Sequence, residues 1–171
     1  MHANARLIES FYRSFQQRNA SGMVACYHPQ VEFSDNVFPH LQGPEARAMW
    51  YMLCERGKDL EIEFEGIEAN ETSGRAHWQA RYTFSPTGRP VHNSIYACFT
   101  FEDGRIVAHR DSFDLWRWAS QALGLKGRLL GWTPLVQNAI RRQAARGLKA
   151  YMSKHQEAGF GEAVETSATA S

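Results

Sequence analysis

The residues best suited to chemistry in this sequence are His109 and Asp111, which lie in a segment of alternating apolar and polar residues from Arg105 to Phe113. Side chains two positions apart on a β-strand point to the same face, so these two share a face and Arg110 points away. On an apolar wall, burial raises the pKa of a carboxylate, and a neighbouring imidazole can hydrogen-bond to it. Such a pair could remove a proton next to a carbonyl group and return it elsewhere.

The other histidines do not indicate a metal site. The spacing of zinc ligands is absent from His28, His40 and His77. We therefore expect no metal and no cofactor.

Helical periodicity dominates the first third of the chain. Apolar residues recur at helical spacing between Ala3 and Gln17, which predicts an amphipathic helix. A second short helix is predicted to start after Ser21 and to stop at Pro29, followed by a short strand over residues 31–34. The sequence Gly43-Pro44-Glu45 is typical of a helix N-terminus, so a third helix is predicted from Pro44 to about Arg56.

The period then changes from 3.6 to 2, which predicts four strands. The first three lie around residues 60–64, 78–84 and 91–101. Asp103-Gly104 indicates a tight hairpin into the fourth, Arg105 to Phe113. Helices followed by a run of strands favour an α+β fold, in which a curved antiparallel sheet wraps over the N-terminal helices.

The motifs of this chain resemble a known superfamily. MVACYHPQVEFSDNVF, LQGPEARAMW and DGRIVAHRDSFD are similar to segments of the SnoaL-like and ketosteroid-isomerase branches of the nuclear-transport-factor-2-like superfamily. The resemblance covers about residues 3–118 and implies a cone-shaped domain with one ligand pocket. This fold hosts isomerases, cyclases, dehydratases, epoxide hydrolases and binding modules, so it does not by itself identify the activity.

The resemblance also implies roles for individual residues. Asp35 falls where ketosteroid isomerases keep a proton-shuttling carboxylate, and Tyr12 falls near their oxyanion-hole tyrosine. Their second oxyanion donor, a protonated Asp, is replaced by Ala97, which argues against steroid isomerisation by the same mechanism. SnoaL-like cyclases carry an H-x-D pair on the last strand, which His109 and Asp111 match. The expected catalytic residues are therefore Asp35, His109 and Asp111.

The first functional hypothesis is a cofactor-independent isomerase, cyclase or dehydratase that acts on a small hydrophobic carbonyl or polycyclic compound. Asp111 would be the base, His109 its orienting partner, and Asp35 a second acid or base. The expected ligand pocket is lined by Tyr12, Phe15, Phe33, Trp50, Trp78, Tyr82 and Tyr96.

Two alternatives remain open. The first is a non-catalytic module that binds an apolar small molecule. The second is an epoxide hydrolase, which would need an Asp-Arg-Asp relay around a water molecule. Arg110 points away from Asp111 on a strand, and Arg81 is the other candidate arginine.

Composition sets limits on the partners. The formal net charge is only +1 and no long apolar run occurs, so we expect neither nucleic-acid binding nor membrane contact. The N-terminus lacks the basic-then-apolar order of a secretion signal, which favours a cytoplasmic protein. The family resemblance implies a homodimer formed through the outer face of the sheet.

The last part of the chain differs in charge. Residues 1–114 hold 11 basic and 15 acidic side chains, whereas residues 115–156 hold 8 basic and no acidic ones. We predict a cone domain over 1–118, a basic amphipathic helical extension over 119–155 and a flexible tail over 156–171. We expect the extension to fold back over the domain or its dimer mate, with Leu123-Gly124-Leu125 and Trp132 filling apolar surface near the pocket. Binding of the extension to an anionic membrane is the alternative.

Overall fold

The computed structural model of the protein describes residues 1–155 and has an α+β architecture, as predicted. The predicted tail over 156–171 lies outside the described residues. Six helices and six strands follow one another along the chain: α1 Ala3–Gln16, α2 Ala20–Ala25, β1 Tyr27–Ser34, β2 Leu41–Gln42, α3 Pro44–Arg56, β3 Glu61–Ala69, β4 Ser73–Phe84, β5 Arg89–Glu102, β6 Arg105–Ser112, α4 Leu115–Ala122, α5 Leu125–Leu130 and α6 Pro134–His155.

The strands form one curved sheet that does not close, in the order β2-β1-β6-β5-β4-β3. Neighbouring strands are antiparallel except β1 and β6, which run parallel. The concave face packs against the N-terminal helices, because their apolar stripe has to be buried against another layer. The predicted cone-like arrangement of sheet over helices is confirmed.

Local signals position several elements. Pro44 opens α3 after Gly43, and the helix ends at Arg56 as predicted. Asp103 and Gly104 both have positive φ, 51° and 71°, which is the backbone of the tight hairpin that their sequence indicated. Asp114 caps α4 by accepting the backbone N–H of Arg117 at 3.0 Å.

The second helix and the first strand differ from the sequence prediction. The helix ends at Ala25, and Tyr27 already belongs to β1 and pairs with Ile106 of β6. The residue before a proline is pushed towards extended backbone, so His28 before Pro29 disfavours a continued helix. This correction matters because it turns Tyr27 into a sheet residue of the core.

The C-terminal helix α6 packs against α3. Leu148 and Tyr151 of α6 are buried and join the main apolar core, and the Tyr151 hydroxyl donates a hydrogen bond to Glu55 of α3 at 2.8 Å. At the other end of α6, the Arg141 Nε donates to the backbone oxygen of Asn36 at 2.9 Å. The predicted boundary at residue 118 falls within α4, and the division into two units remains a prediction.

Leu123 is half-buried against the apolar cluster around Trp118, but the expected burial of Leu125 and Trp132 is wrong. Their side chains are 71% and 60% exposed, because α5 turns one side to α4 and the other to solvent. Within residues 1–155, no helix combines the length and the apolar character that crossing a bilayer would require.

The docking of α6 predicts unequal effects of two leucine substitutions in the same helix. Leu148 is 3% exposed, whereas Leu135 is 78% exposed. We expect Leu148→Ala to lower the free energy of unfolding by about 2–4 kcal/mol, since it removes buried methyl groups and leaves a cavity. Leu135→Ala should change it by less than about 0.5 kcal/mol. Urea unfolding measures both, and similar small losses would show that α6 does not support the core.

Candidate functional site

Parallel pairing of β1 with β6 brings the two candidate carboxylates to one place. Phe33 pairs with His109, and Ser34 pairs with Arg110. Asp35 directly follows Ser34, and Asp111 directly follows Arg110. Side chains alternate between the two faces of a sheet, so each carboxylate lies two positions after a residue of the same face. Both carboxylates therefore lie on the inner face that carries Phe33 and His109.

His109 and Asp111 form a buried hydrogen-bonded pair. The Nε2 of His109 lies 2.9 Å from the Oδ1 of Asp111, and the two residues are 1% and 4% exposed. The other ring nitrogen of His109, Nδ1, lies 2.8 Å from the Tyr27 hydroxyl. The hydroxyl oxygen of Tyr27 in turn accepts the indole N–H of Trp50 at 2.7 Å. A chain of hydrogen bonds thus leads from α3 through two strands to Asp111.

The donors and acceptors of this chain indicate the tautomer of His109. An indole N–H can only donate, so the Tyr27 oxygen is the acceptor and its own hydrogen is free to donate to Nδ1. The ring then carries its hydrogen on Nε2 and donates it to the Asp111 carboxylate. Trp78 adds a longer contact, 3.4 Å from its Nε1 to the same Oδ1. These bonds orient the carboxylate of Asp111 through its Oδ1, and its second oxygen takes part in none of them.

Asp35 lies at a tight turn that follows β1. Its Oδ1 accepts the backbone N–H groups of Val37 and Phe38 at 2.7 and 2.6 Å, and its own N–H donates to the Phe38 oxygen at 2.8 Å. The pKa of Asp35 is raised from 3.8 to about 6, chiefly by burial and in smaller part by the charge of Asp111. The two N–H groups and the nearby His109 act in the opposite direction and lower it. A carboxyl group with such a pKa can both give and take a proton near neutral pH.

Tyr12 of α1 carries a buried polar atom without a partner. Its hydroxyl is the one fully buried side-chain nitrogen or oxygen within residues 1–155 that has no hydrogen-bond partner. Burial and the nearby charge of Asp111 raise its pKa well above the ordinary value, so the group stays protonated. An unsatisfied buried hydroxyl is costly and needs an explanation, such as a ligand or water that accepts its hydrogen.

The aromatic residues that were predicted to line a pocket fill the interior instead. Phe15 and Trp50 contact edge to face at 5.2 Å, Phe15 and Trp78 at 5.5 Å, and Phe33 and Trp50 at 5.4 Å. The ring of Trp50 also stacks on His109, with centroids 5.9 Å apart. These side chains surround the candidate site as core residues, and a ligand pocket at this place remains a prediction.

The two tyrosines on β4 and β5 have different positions. Tyr82 is half-buried, and its hydroxyl accepts the indole N–H of Trp118 from α4 at 2.7 Å. Burial raises its pKa, and the charge of Asp35 contributes to the rise, which places it at the Asp35 end of the interior. Tyr96 does not line the interior. It is 65% exposed on the outer face, where it stacks on His77 at 4.6 Å, because it alternates with the inward side chains of Ile95 and Ala97.

The arginine needed for a carboxylate-arginine-carboxylate relay is not at this site. Arg110 is exposed on the opposite face of β6 from Asp111. Arg81 is also on the outer face, where it forms an ion pair with Glu63 at 3.0 Å. Within the described residues no group of histidine, cysteine and acidic side chains could hold a metal ion.

Sequence reasoning missed two groups that support the site. Tyr27, which hydrogen-bonds His109, had been assigned to a helix, although His28-Pro29 was a signal for extended backbone. Asn36 follows Asp35, and its Oδ1 accepts the backbone N–H of Phe113 at 2.9 Å while its backbone oxygen accepts from Arg141. Nothing in the sequence indicates the bond to Arg141, because 105 positions separate the two residues.

Comparison with known proteins reveals one family and one fold. A family model described as "SnoaL-like domain" matches residues 8–109. An NTF2-like protein of unknown function from Burkholderia pseudomallei K96243 superposes with a TM-score of 0.56 at 18% identity, over 67% of this chain and 92% of that one. A comparison with curated proteins found no match.

Two other solved structures are similar to the same extent. An LEH-like epoxide hydrolase of M. tuberculosis has a TM-score of 0.58 and 19% identity, over 75% of this chain and 96% of its own. A protein from Jannaschia sp. CCS1, described as a SnoaL-like polyketide cyclase, has a TM-score of 0.59 and 17% identity, over 69% and 92%. At these identities the likeness shows the fold alone.

The raised pKa of Asp35 predicts a pH-dependent effect of Asp35→Asn on stability. The ordinary value is 3.8 and the folded value about 6, so the folded protein holds its proton longer as the pH rises. Between pH of about 4 and about 7, folding of the wild type should therefore weaken by up to about 3 kcal/mol. The amide cannot ionise, so the stability of Asp35→Asn relative to the wild type should increase over this range.

Urea unfolding at both pH values measures this difference. Asp103→Asn, in the exposed hairpin turn, is the matched carboxylate-to-amide control. A difference between Asp35→Asn and the wild type that stays constant from pH of about 4 to about 7 would contradict the raised pKa.

Proposed function

The chain belongs to the SnoaL-like domain family, and we propose that it is a cofactor-independent enzyme that moves a proton on a small hydrophobic carbonyl compound. The observation that carries this proposal is the burial of four polar groups in an aromatic interior, where the charge of Asp111 acts on both Asp35 and Tyr12. These are the hydrogen-bonded His109–Asp111 pair, the Asp35 carboxyl with its pKa of about 6, and the unpartnered hydroxyl of Tyr12. Two carboxyl groups and one neutral donor are the parts that enolisation requires.

The proposed reaction is an isomerase- or cyclase-type proton transfer. The Asp111 carboxylate takes a proton from the carbon next to the carbonyl, and the electron pair of that C–H bond moves to the carbonyl oxygen. The Tyr12 hydroxyl donates a hydrogen bond to this oxygen as its negative charge develops. Asp35 in its protonated form then delivers a proton to another carbon of the conjugated enolate, whose electron pair forms the new C–H bond as the carbonyl is restored. The proton held by Asp111 passes to the Asp35 carboxylate, directly or through solvent, so that both groups return to their starting states.

The neighbours of Asp111 support its role as the base. His109 donates from Nε2 to Oδ1, so the other carboxylate oxygen can face the substrate. His109 is a positioning residue in this proposal, since its two ring nitrogens are both engaged.

A substrate has to displace side chains to reach this interior. The most accessible approach lies between the turn after Asp35 and α4, where Val37, Tyr82 and Phe113 are only half-buried. The turn is held by the bonds of Asn36 to Phe113 and Arg141. We expect entry of the substrate to move these side chains apart, as happens where loops close an active site.

The aromatic character of the interior also suits a second candidate function, a non-catalytic module that binds an apolar small molecule. In that case the His109–Asp111 pair would hold the sheet against α3, and the bound ligand would be released chemically unchanged. An epoxide hydrolase is less well supported, because the side chains of Arg81 and Arg110 lie on the outer face of the sheet, opposite to Asp111.

Solvent deuterium exchange separates the two candidates without knowledge of the natural substrate. We expect the protein to accelerate deuterium uptake next to the carbonyl of aromatic cyclic ketones such as β-tetralone in heavy water, followed by mass spectrometry. Asp111→Asn should abolish the acceleration, since the amide keeps the shape and still accepts from His109 but cannot take a proton. Asp103→Asn is the matched control and should retain it.

Two outcomes would contradict the proposed base. A ketone that binds without any accelerated exchange supports the binding module. A variant Asp111→Asn that exchanges as fast as the wild type per folded molecule, but melts many degrees lower, would make Asp111 a structural residue.

Tyr12→Phe should lower the activity of the protein without lowering its stability. Removing a buried hydroxyl that has no partner should leave the protein equally stable or more stable, by up to about 1 kcal/mol. The exchange rate should fall by roughly a hundredfold, as expected for the loss of one oxyanion donor. Thermal melting and the exchange assay measure the two effects, and a clear loss of stability with unchanged exchange would show that the hydroxyl has a structural partner.

A further inference from the structure

Large apolar side chains are exposed mainly in one part of the molecule. Within residues 1–155, six of the nine large exposed apolar residues lie between α4 and the start of α6. We call them the α5 surface: Trp116, Leu125, Leu129, Leu130, Trp132 and Leu135. Isolated exposed leucines are ordinary on soluble proteins, but a cluster of this kind marks an interaction site.

The exposure of this surface follows from how α5 is held. Gly127 packs directly against the backbone of Ala119 in α4, where a Cβ atom would collide with it. The indole N–H of Trp116 also donates to the Arg128 oxygen at 3.0 Å. One side of α5 is thereby fixed on α4, so Leu125 and Leu129, one helical turn apart, are directed outwards together.

The segment of the chain that carries the α5 surface is basic. Residues 115–155 contain no acidic residue. Their exposed basic side chains form no ion pair within the described part of the chain: Arg117, Lys126, Arg128, Arg142, Arg146, Lys149 and Lys154. Lys126 and Arg128 lie on α5 itself, beside the exposed leucines. A partner for this surface therefore needs apolar material next to negative charge.

We propose that the α5 surface binds the surface of an anionic lipid bilayer. The leucines would enter the boundary between headgroups and acyl chains, and Lys126 and Arg128 would contact the headgroup phosphates. Trp116 and Trp132 suit this boundary, where amphipathic indole rings are enriched. The protein would lie on the membrane, with α5 roughly in its plane.

Charge argues against a second copy of the chain as the occupant. A two-fold interface places the same patch on both subunits, so Lys126 and Arg128 of each copy would approach basic residues of the other. Like charges at an interface are unfavourable, and no acidic residue of 115–155 is present to compensate. Anionic headgroups compensate all of these charges at once.

Sedimentation with vesicles tests the proposal on the full chain. We expect binding to vesicles of phosphatidylcholine mixed with phosphatidylglycerol, much weaker binding to phosphatidylcholine alone, and a loss of binding at high salt. Replacing Lys126 and Arg128 by Gln should weaken binding roughly thirtyfold, since each basic residue near the membrane contributes a factor of about five and the two factors multiply. Replacing Leu125 and Leu129 by Ser should abolish it.

Matched controls keep the test specific. Arg105→Gln removes an exposed basic residue at the far end of β6, and Tyr96→Ser removes an exposed apolar side chain on the outer sheet face; neither should change binding. Circular dichroism checks that each variant is folded, which is expected because all the replaced residues are exposed.

Three results would overturn the proposal. The first is no binding to either vesicle, and the second is equal binding to both. The third is a concentration-dependent dimer in solution that is lost when Leu125 and Leu129 are replaced by Ser, which would make the α5 surface a contact between copies of the chain. The measurement does not depend on catalysis, so the proposed function can fail while this proposal holds.

Discussion

The hydrogen bond between His109 and Asp111 is the interaction on which the organisation of the interior depends. Two ionisable side chains are almost fully buried among aromatic rings, where an unpaired polar group or charge is expensive. The Tyr27 hydroxyl of β1 bonds the second ring nitrogen of His109, with Trp50 of α3 behind it, and Trp78 of β4 makes a longer contact to the same Asp111 oxygen that His109 bonds. The pair therefore links the sheet to α3 and fixes how these layers pack.

The same burial separates the roles of the two carboxyl groups. Asp111 is surrounded by side-chain donors, whereas Asp35 is held by backbone N–H groups at a turn and has its pKa raised by burial. Different environments for two neighbouring acids are the usual way in which one site obtains both an acid and a base. The Tyr12 hydroxyl adds a donor that the folded chain leaves unused. Together these features support a site prepared for an oxygen that the protein itself does not provide.

The C-terminal helices connect this site to a chemically different surface. Helix α6 buries Leu148 and Tyr151 in the core and bonds to Asn36 beside Asp35, while α5 leaves its leucines exposed. A single segment thus covers the Asp35 end of the interior and presents a basic, apolar patch outside. Hydrophobic carbonyl compounds partition into bilayers, so a protein that lies on a membrane would meet such substrates where they are concentrated.

The sequence by itself determined the features that depend on neighbouring residues. Pro44 and Gly57 delimit α3, Asp103-Gly104 forms the hairpin, and the alternation along β6 places His109 and Asp111 on one face. Alternation along β5 also determines that Tyr96 points outwards, and its assignment to the pocket ignored that signal. Dihedral preferences and side-chain period act over a few positions and can be read without the fold.

Only the tertiary structure decided which distant groups meet. Tyr27 and His109 are 82 positions apart, and their contact depends on the parallel pairing of β1 with β6. The unpartnered state of the Tyr12 hydroxyl and the exposure of Leu125 and Trp132 were equally hidden. A side chain's type and spacing state what it can bond to or pack against, but burial and pairing depend on which surface the rest of the chain brings over it.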